Sequence, residues 1–398
     1  MTSMSSRIVA VEPLMAGYAH SKLNAGLLSM LAKAFPEDVI HFHAESRHLD
    51  FVRAAAADLP NLEWHSISIP PDTGPEGFRR VPGEWAWLRE FRRALRGRPR
   101  LGLVCAYSQL SLAFTKLSLR FFPTGVPVYG ILHSILKSVG APPRGNMFRR
   151  TLSPASTLRW RHPANLRHLA LGPSIVSSVK ATMPEIVHQF DCIPKPWLWP
   201  QVMRTAQPPG SRDDIVFGLI GGSGARLQEG ALVAREFRRY RPTARCRFKY
   251  VGSAPPDIGE PLRDLLGPIS SNDLTDEAFA RQLSQVTYVI GLNSGPKYAF
   301  VASGAFHDAL CFGKPGVHLS TAYVKERSAA LGDVGEVVEN MSAMVTAVVR
   351  SYDEYDASEY AIKSRQILAS ARQHDPEVVA PRFRAIYENR FRSWHPGA

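Results

Sequence analysis

Strand-like and helix-like patterns alternate along almost the whole of this chain, and a single proline-rich stretch divides the alternation in two. Arg7–Val11 reads as a strand and Ser21–Phe35 as a helix, with Leu23, Leu27, Leu31 and Ala34 at helical spacing. Val39–His43 and Leu62–Ile69 read as strands, Trp85–Leu95 as a helix, Leu101–Ala106 as a strand, Leu110–Phe121 as a helix and Val126–His133 as a strand. Leu169–Gly172 and Asp191–Ile193 are short strands around a helix near Ser174–Ala181. Such alternation predicts parallel strands with crossover helices, hence a doubly wound sheet. Then Pro194, Pro196, Pro200, Pro208, Pro209 and Gly210 crowd together, which neither a helix nor a central strand tolerates. The pattern restarts with strands at Ile215–Ile220, Cys246–Val251, Val286–Leu292 and Gly316–Leu319 and helices at Gly230–Arg239, Asp276–Leu283 and Ala305–Phe312. The remainder reads as helical: Ala343–Tyr352, Glu359–Ala371 and Glu377–Phe391. The expectation is α/β, with two doubly wound Rossmann-like domains at 1–195 and 213–374, a linker at 196–212 and a helical tail at 375–398. A length of 398 residues suits two domains, and 45% apolar content suffices for two cores.

Cys105, Cys192, Cys246 and Cys311 are far apart, with no C-x-x-C pair and no histidine partner at metal spacing, and read as buried thiols of a reducing compartment. The apolar run Ile8–Val11 is cut by Glu12 and Pro13 and lacks a basic leader, so it is not a signal peptide. No stretch approaches the roughly 18–20 apolar residues of a membrane span. The expected location is cytoplasmic, or peripheral on the inner face of the cell membrane. The net charge of +13 is concentrated: residues 1–210 hold 25 Lys and Arg against 13 Asp and Glu, residues 211–398 hold 23 against 22. Between Arg79 and Arg167 lie 17 basic residues and only two acids, Glu84 and Glu90. A field of that kind attracts anionic lipid, nucleic acid or a phosphorylated acceptor; the alternative is a solvated basic face.

Two glycine-rich turns in the second half stand between a strand and a helix. In Gly221-Gly222-Ser223-Gly224-Ala225-Arg226 the backbone can approach a ligand closely, the following helix start offers amide donors, and Arg226 adds a fixed charge. In Ala302-Ser303-Gly304-Ala305-Phe306-His307-Asp308, Ser303 and Gly304 form a cap and first turn that aim donors at an anion. Asp308, one turn in, is where a carboxylate can accept from a ribose diol, unless it is simply a solvated helix residue.

These segments resemble the nucleotide-binding half of GT-B glycosyltransferases, above all the large retaining group that builds bacterial glycans. The family pattern A-S-G-x-x-x-[DE]-A-x-x-x-G-K-P is matched at Ser303, Gly304, Asp308, Gly313, Lys314 and Pro315. Tyr250-Val251-Gly252-Ser253-Ala254-Pro255 resembles its strand-turn V-G-x-x-P, and Cys192-Ile193-Pro194-Lys195-Pro196 its interdomain I-P segment. Val126–Ser134 resembles the strand that ends in a histidine facing the donor sugar, here His133. The loop Ala16-Gly17-Tyr18-Ala19-His20 matches the family's glycine loop. The resemblance implies two domains facing across a cleft, with the final helix crossing back to the first. It implies donor contacts at Gly221, Gly222, Ser223, Arg226, Gly252, Tyr298, Ser303, Gly304 and Asp308, acceptor contacts at Gly17, Tyr18 and His20, and a catalytic role for His133. Three positions depart from the pattern: the diphosphate-binding Arg and Lys positions hold Gly222 and Glu229, and the family's first acid is Phe300.

The implied reaction moves a sugar from a nucleoside-diphosphate donor to a glycan or polyprenyl-linked acceptor, as in polysaccharide biosynthesis. The leaving diphosphate is then the charge to stabilise. The donor is a substrate, so no cofactor is expected, and no D-x-D motif calls for a metal. Retention or inversion stays open; inversion would need a carboxylate base, for which Glu12, Glu45 and Asp50 are the candidates. The Trp85–Arg96 helix and Arg144, Arg149, Arg150, Arg159, Arg161 and Arg167 suggest contact with an anionic membrane. Alternatives are a nucleotide-sugar epimerase of the same fold and a nucleic-acid-binding protein, for which no zinc-finger, aromatic-pair or helix-turn-helix signal appears.

Overall fold

The computed structural model describes residues 6–69, 80–133, 135–139, 150–199, 208–221, 224–254 and 260–392. It falls into two compact units. One comprises Met1–Leu198, Ala299–Ala302 and His374–Ala398; the other comprises Trp199–Tyr298 and Ser303–Gln373.

The first unit is built on a seven-stranded sheet with strands β1 (Arg7–Val11), β2 (Val39–Ala44), β3 (Leu62–Ser66), β4 (Leu101–Val104), β5 (Val128–Gly130), β6 (Leu166–Ala170) and β7 (Phe190–Cys192). Their order is β3-β2-β1-β4-β5-β6-β7, and every pairing is parallel. Parallel strands are covered on both faces, so Ile8, Val9, Ala10 and Val11 are all buried although they alternate in direction. The helix Ser21–Ala34 is likewise buried nearly all round, because the last helix, Pro376–Phe391, lies against it. Phe35 meets Phe383 and Tyr387 edge-on at 6.2 and 5.3 Å, and Arg384 donates to the carbonyl of Ala34. The last helix therefore belongs to the first unit.

The second unit has five parallel strands: β8 (Val216–Ile220), β9 (Arg247–Val251), β10 (Tyr288–Gly291), β11 (Gly316–Leu319) and β12 (Gly335–Val338), ordered β12-β11-β10-β8-β9. Phe217 anchors its core, stacked on Phe248 and Tyr288 at 5.2 and 5.7 Å. Both units are thus doubly wound α/β sheets. Among the described residues no helix is long and apolar enough to cross a membrane.

Several elements differ from the sequence reading. The strand expected at Val126–His133 spans only Val128–Gly130, so His133 lies three residues beyond its end. The helix expected from Gly230 begins at Gly224. Gly230 is inside it, where a Cβ would come within 2.1 Å of Leu219, so close packing on β8 accounts for this glycine rather than a turn. The short strand β12 and the helices Ser46–Ala55, Pro154–Arg159, Glu260–Leu266 and Ala322–Leu331 are additional. Within the expected linker, Trp197 and Trp199 are buried, and 200–207 lie outside the described residues.

Candidate functional site

In an open parallel sheet, ligands bind beyond the carboxyl ends of the strands, where the winding direction reverses. In the second unit that point falls between β8 and β10, because β9 lies to one side of this pair and β11 to the other. A pocket opens there, lined by Gly221, Arg226, Asn293, Ser303, Phe306 and His318 among others.

The pocket is organised by one chain of hydrogen bonds. Arg226, in the first turn of the helix Gly224–Tyr240, donates to Asn293 Oδ1 at 2.8 Å, and Asn293 Nδ2 donates to Ser303 Oγ at 2.8 Å. Ser303 Oγ also accepts from the Phe306 amide at 3.3 Å, capping the helix Gly304–Cys311. His307 Nδ1 donates to the Ser303 carbonyl at 2.7 Å while its Nε2 accepts from the Tyr323 hydroxyl, so the cap is held from behind. Among the described residues no acceptor meets the amides of Gly304 and Ala305. The helix start is left with donors and the positive end of its dipole. Arg226 also lies over the Tyr298 ring, 6.0 Å from its centroid. This array of an arginine and free first-turn amides is suited to an anion.

The other expected donor residues take distinct places. Gly221 has φ 56° and sits on the pocket wall, and Gly252, with φ 134°, lies beside it. Gly222 and Ser223 lie outside the described residues. Asp308 is not on the pocket wall: it is buried, and its Oδ1 accepts from the Trp199 indole at 2.7 Å. Gly313, Lys314 and Pro315 build the turn into β11. Gly313 has φ 59°, the buried Lys314 ammonium donates to the carbonyl of Ser284, and its pKa is pushed down to about 8 by burial.

Asn293 and His318 are pocket residues that the sequence reading missed. The His318 ring occupies space left by two glycines, since a Cβ on Gly291 or Gly316 would come within 2.1 or 2.2 Å of it. Burial holds its pKa down, at about 4, so it is a neutral imidazole, edge-on to Phe306 at 5.2 Å. A histidine two residues after the glycine that opens a short apolar strand is the signal that could have drawn attention to it.

In the first unit the winding reverses between β1 and β4. The loop after β1 carries Gly17 (φ 57°) and His20, a non-glycine residue at φ 62°. The His20 and His133 rings meet edge-on at 5.3 Å. Burial, with Lys195 and Lys137 adding like charge, pushes the His20 pKa to about 3 and that of His133 well below its ordinary value. Both rings are therefore neutral, and among the described residues neither Nδ1 has a hydrogen-bond partner. Tyr18 instead packs edge-on against Phe51 at 5.5 Å.

The carboxylate candidates nearby have structural partners. Glu12 is buried and accepts from the amides of Leu14 and Met15 and from Asn24; desolvation raises its pKa to about 7 against the pull of those bonds. Asn24 Nδ2 also donates to His48 Nε2, whose Nδ1 donates to the Gly17 carbonyl at 2.7 Å. Glu45 caps the helix Ser46–Ala55 and accepts from the Gly17 amide at 3.4 Å. Asp50 is exposed on that helix. Glu12 and Glu45 thus fix the shape of the Gly17 loop.

The basic segment is less uniform than its charge count suggests. Lys116 is buried and donates to the carbonyls of Thr157, Leu158 and Trp160, closing the helix Pro154–Arg159. Arg159 pairs with Glu185 at 2.6 Å and Arg167 with Asp191 at 3.1 Å, which removes them from an open basic surface; Arg144 and Arg149 lie outside the described residues. Arg150 and Arg161 stay exposed, and so does an aromatic and arginine patch at the helices Val81–Arg96 and Gln109–Phe121: Trp85 (53% exposed), Phe121 (64%) and Phe122 (59%), with Arg92 over Phe122 and Arg120 over Phe121.

No family model and no curated relative matches the chain. Solved structures do. HepE of Anabaena, solved with UDP and glucose, is similar at 13% identity with a TM-score of 0.65, over 96% of this chain and 100% of that one. WaaG, a glycosyltransferase involved in lipopolysaccharide biosynthesis, is similar at 12% identity and a TM-score of 0.59, over 96% and 99%. A Listeria monocytogenes protein described as a UDP-N-acetylglucosamine 2-epimerase is similar at 13% identity and a TM-score of 0.51, over 98% and 97%. With two parallel doubly wound sheets and these neighbours, the chain has a GT-B glycosyltransferase-like fold.

Proposed function

We propose that this protein is a glycosyltransferase that binds a nucleoside-diphosphate sugar in its second unit. The observation that carries the reading is the Arg226–Asn293–Ser303 chain at the β8/β10 reversal, which fixes a guanidinium beside unfilled helix amides. Those donors suit the charge that develops on a departing nucleoside diphosphate, and a preorganised array needs no rearrangement as the bond breaks. In this reading Arg226, Ser303 and Gly304 take the diphosphate, and Asp308 the ribose once its bond to Trp199 yields. His133 and His20 meet sugar or acceptor hydroxyls through their neutral rings. Calorimetric titration against a panel of nucleoside diphosphates, UDP first because HepE was solved with it, tests the proposal. Saturable binding of one diphosphate per chain is expected; failure of every member to bind would overturn it.

The acceptor is proposed to be a glycan or a polyprenyl-linked glycan, reached from an anionic membrane surface through the patch at Trp85, Phe121 and Phe122. An aromatic and arginine surface is the composition that enters a headgroup region. The reading places the protein peripherally on the inner face of the membrane and makes it metal-independent in its transfer step. The epimerase reading is favoured by the similarity to the Listeria protein. It predicts epimerisation of donor with no acceptor present, whereas a transferase leaves the donor's sugar unchanged until an acceptor is added.

A further inference from the structure

We infer that the first unit carries a divalent transition-metal site on the exposed face of its edge strands, formed by His41, Glu63 and His65. In parallel pairing, His41 lies opposite Glu63 and His43 opposite His65, so four polar side chains share one face of β2 and β3. On the opposite face Ile40, Phe42 and Ala44 are buried, which fixes the register and with it the juxtaposition.

His41 Nδ1 stands 3.0 Å from His65 Nε2 and 3.2 Å from Glu63 Oε2, and His65 Nε2 stands 3.8 Å from the same carboxylate oxygen. A triangle with these three sides has a circumscribed radius of about 2.0 Å, the bond length of zinc to imidazole nitrogen and carboxylate oxygen. One ion can therefore touch all three atoms without movement of the backbone. His43 stacks on His65 at 4.5 Å and 18°, holding that ring in place. The carboxylate of Glu63 supplies negative charge that favours a cation between these atoms, against the nearby Arg7. The two imidazoles are borderline donors that favour zinc, cobalt, nickel or copper over magnesium and calcium, and the carboxylate adds charge. Three protein ligands leave at least one position for water.

The site sits on the outermost strands β3 and β2, not at the β1/β4 reversal. Its effect is to clip an edge strand to its neighbour, and its existence does not depend on the glycosyltransferase reading. The test uses the full chain, stripped with chelator and titrated with zinc by calorimetry and with cobalt by visible absorption. One ion per chain is expected, with a rise in the thermal midpoint on zinc addition. His65→Ala and Glu63→Gln should each weaken binding at least about tenfold, while His188→Gln, an exposed histidine just before β7 at the opposite edge of the sheet, should retain it. Should His65→Ala misfold, Glu63→Gln decides, because that side chain is half exposed. Zinc binding unchanged in Glu63→Gln, or no stoichiometric binding by the unaltered chain, would overturn the assignment.

Discussion

Among the described residues, Arg226 supplies the one guanidinium on the wall of the pocket between β8 and β10, and alanine there removes it. In the ligand-free protein Arg226 donates to a neutral amide and lies over one aromatic ring, so its loss should leave folding nearly unchanged. With a diphosphate bound, it would supply a charge-assisted hydrogen bond. Such bonds contribute about 1.5–3 kcal/mol, which at about 1.4 kcal/mol per decade is roughly a 10- to 150-fold rise in Kd. The effect should depend on the ligand: a nucleoside without phosphates should bind Arg226→Ala and the unaltered protein alike. Arg226→Lys should recover part of the loss, because charge is restored without the planar fork. Calorimetry with diphosphate and nucleoside in parallel separates these cases. Equal diphosphate affinity in Arg226→Ala and unaltered protein would refute the placement of the diphosphate. Equal losses for diphosphate and nucleoside would show that the substitution had damaged the pocket as a whole.

Asp308→Ala should lower stability by about 1–3 kcal/mol, since the buried Trp199 indole loses its acceptor, and should also weaken nucleoside binding; chemical denaturation and titration of Asp308→Ala beside Trp199→Phe check this, because a purely structural Asp308 would leave affinity intact in both. Glu12 has a folded pKa raised from 4.5 to about 7, so the folded chain binds the extra proton between those values and stability falls as pH rises through them. The span corresponds to about 3 kcal/mol, and Glu12→Gln should flatten that part of the stability profile measured by denaturation from pH 4.5 to 7.5; an unchanged slope would mean Glu12 titrates normally. Trp85→Ala combined with Phe121→Ser should reduce sedimentation with anionic vesicles by roughly tenfold per aromatic buried, and high salt should reduce it further for the unaltered chain.

Much of the fold was legible because its signals are local. Both sheets announced themselves through strand–helix alternation, and the proline cluster marked where one ends and the other begins. Elements that escaped notice are those whose existence depends on a partner. Gly335–Val338 is four residues, of which the first two are a glycine and a glutamate, and it is a strand because β11 offers it a parallel edge. The start of the helix at Gly224 was hidden by glycines that suggest a turn, whereas Gly230 is there to admit Leu219. Propensity reads the residue; packing decides its place.

The candidate site divides along the same line. Ser303 could be recognised as a cap from its neighbours in sequence, since a cap is a contact over three residues. Asn293 could not, because its meaning comes from linking Arg226, 67 residues away, to Ser303, 10 residues away. The three histidines of β2 and β3 pose the same problem: along the chain His41-x-His43 and Glu63-x-His65 are two separate pairs, and only the pairing of His41 with Glu63 and His43 with His65 makes them a cluster. The run of arginines between Arg79 and Arg167 hides contacts of the same kind, since Arg159 and Arg167 pair with Glu185 and Asp191 beyond its end. Chemistry carried by one turn of chain is therefore readable from residues alone, while chemistry assembled across strands becomes visible only once register is known. The proposed anion site, capped by Ser303 and aimed by Asn293, needs both kinds of information, which is why replacing Asn293 should disorder Arg226 and Ser303 together.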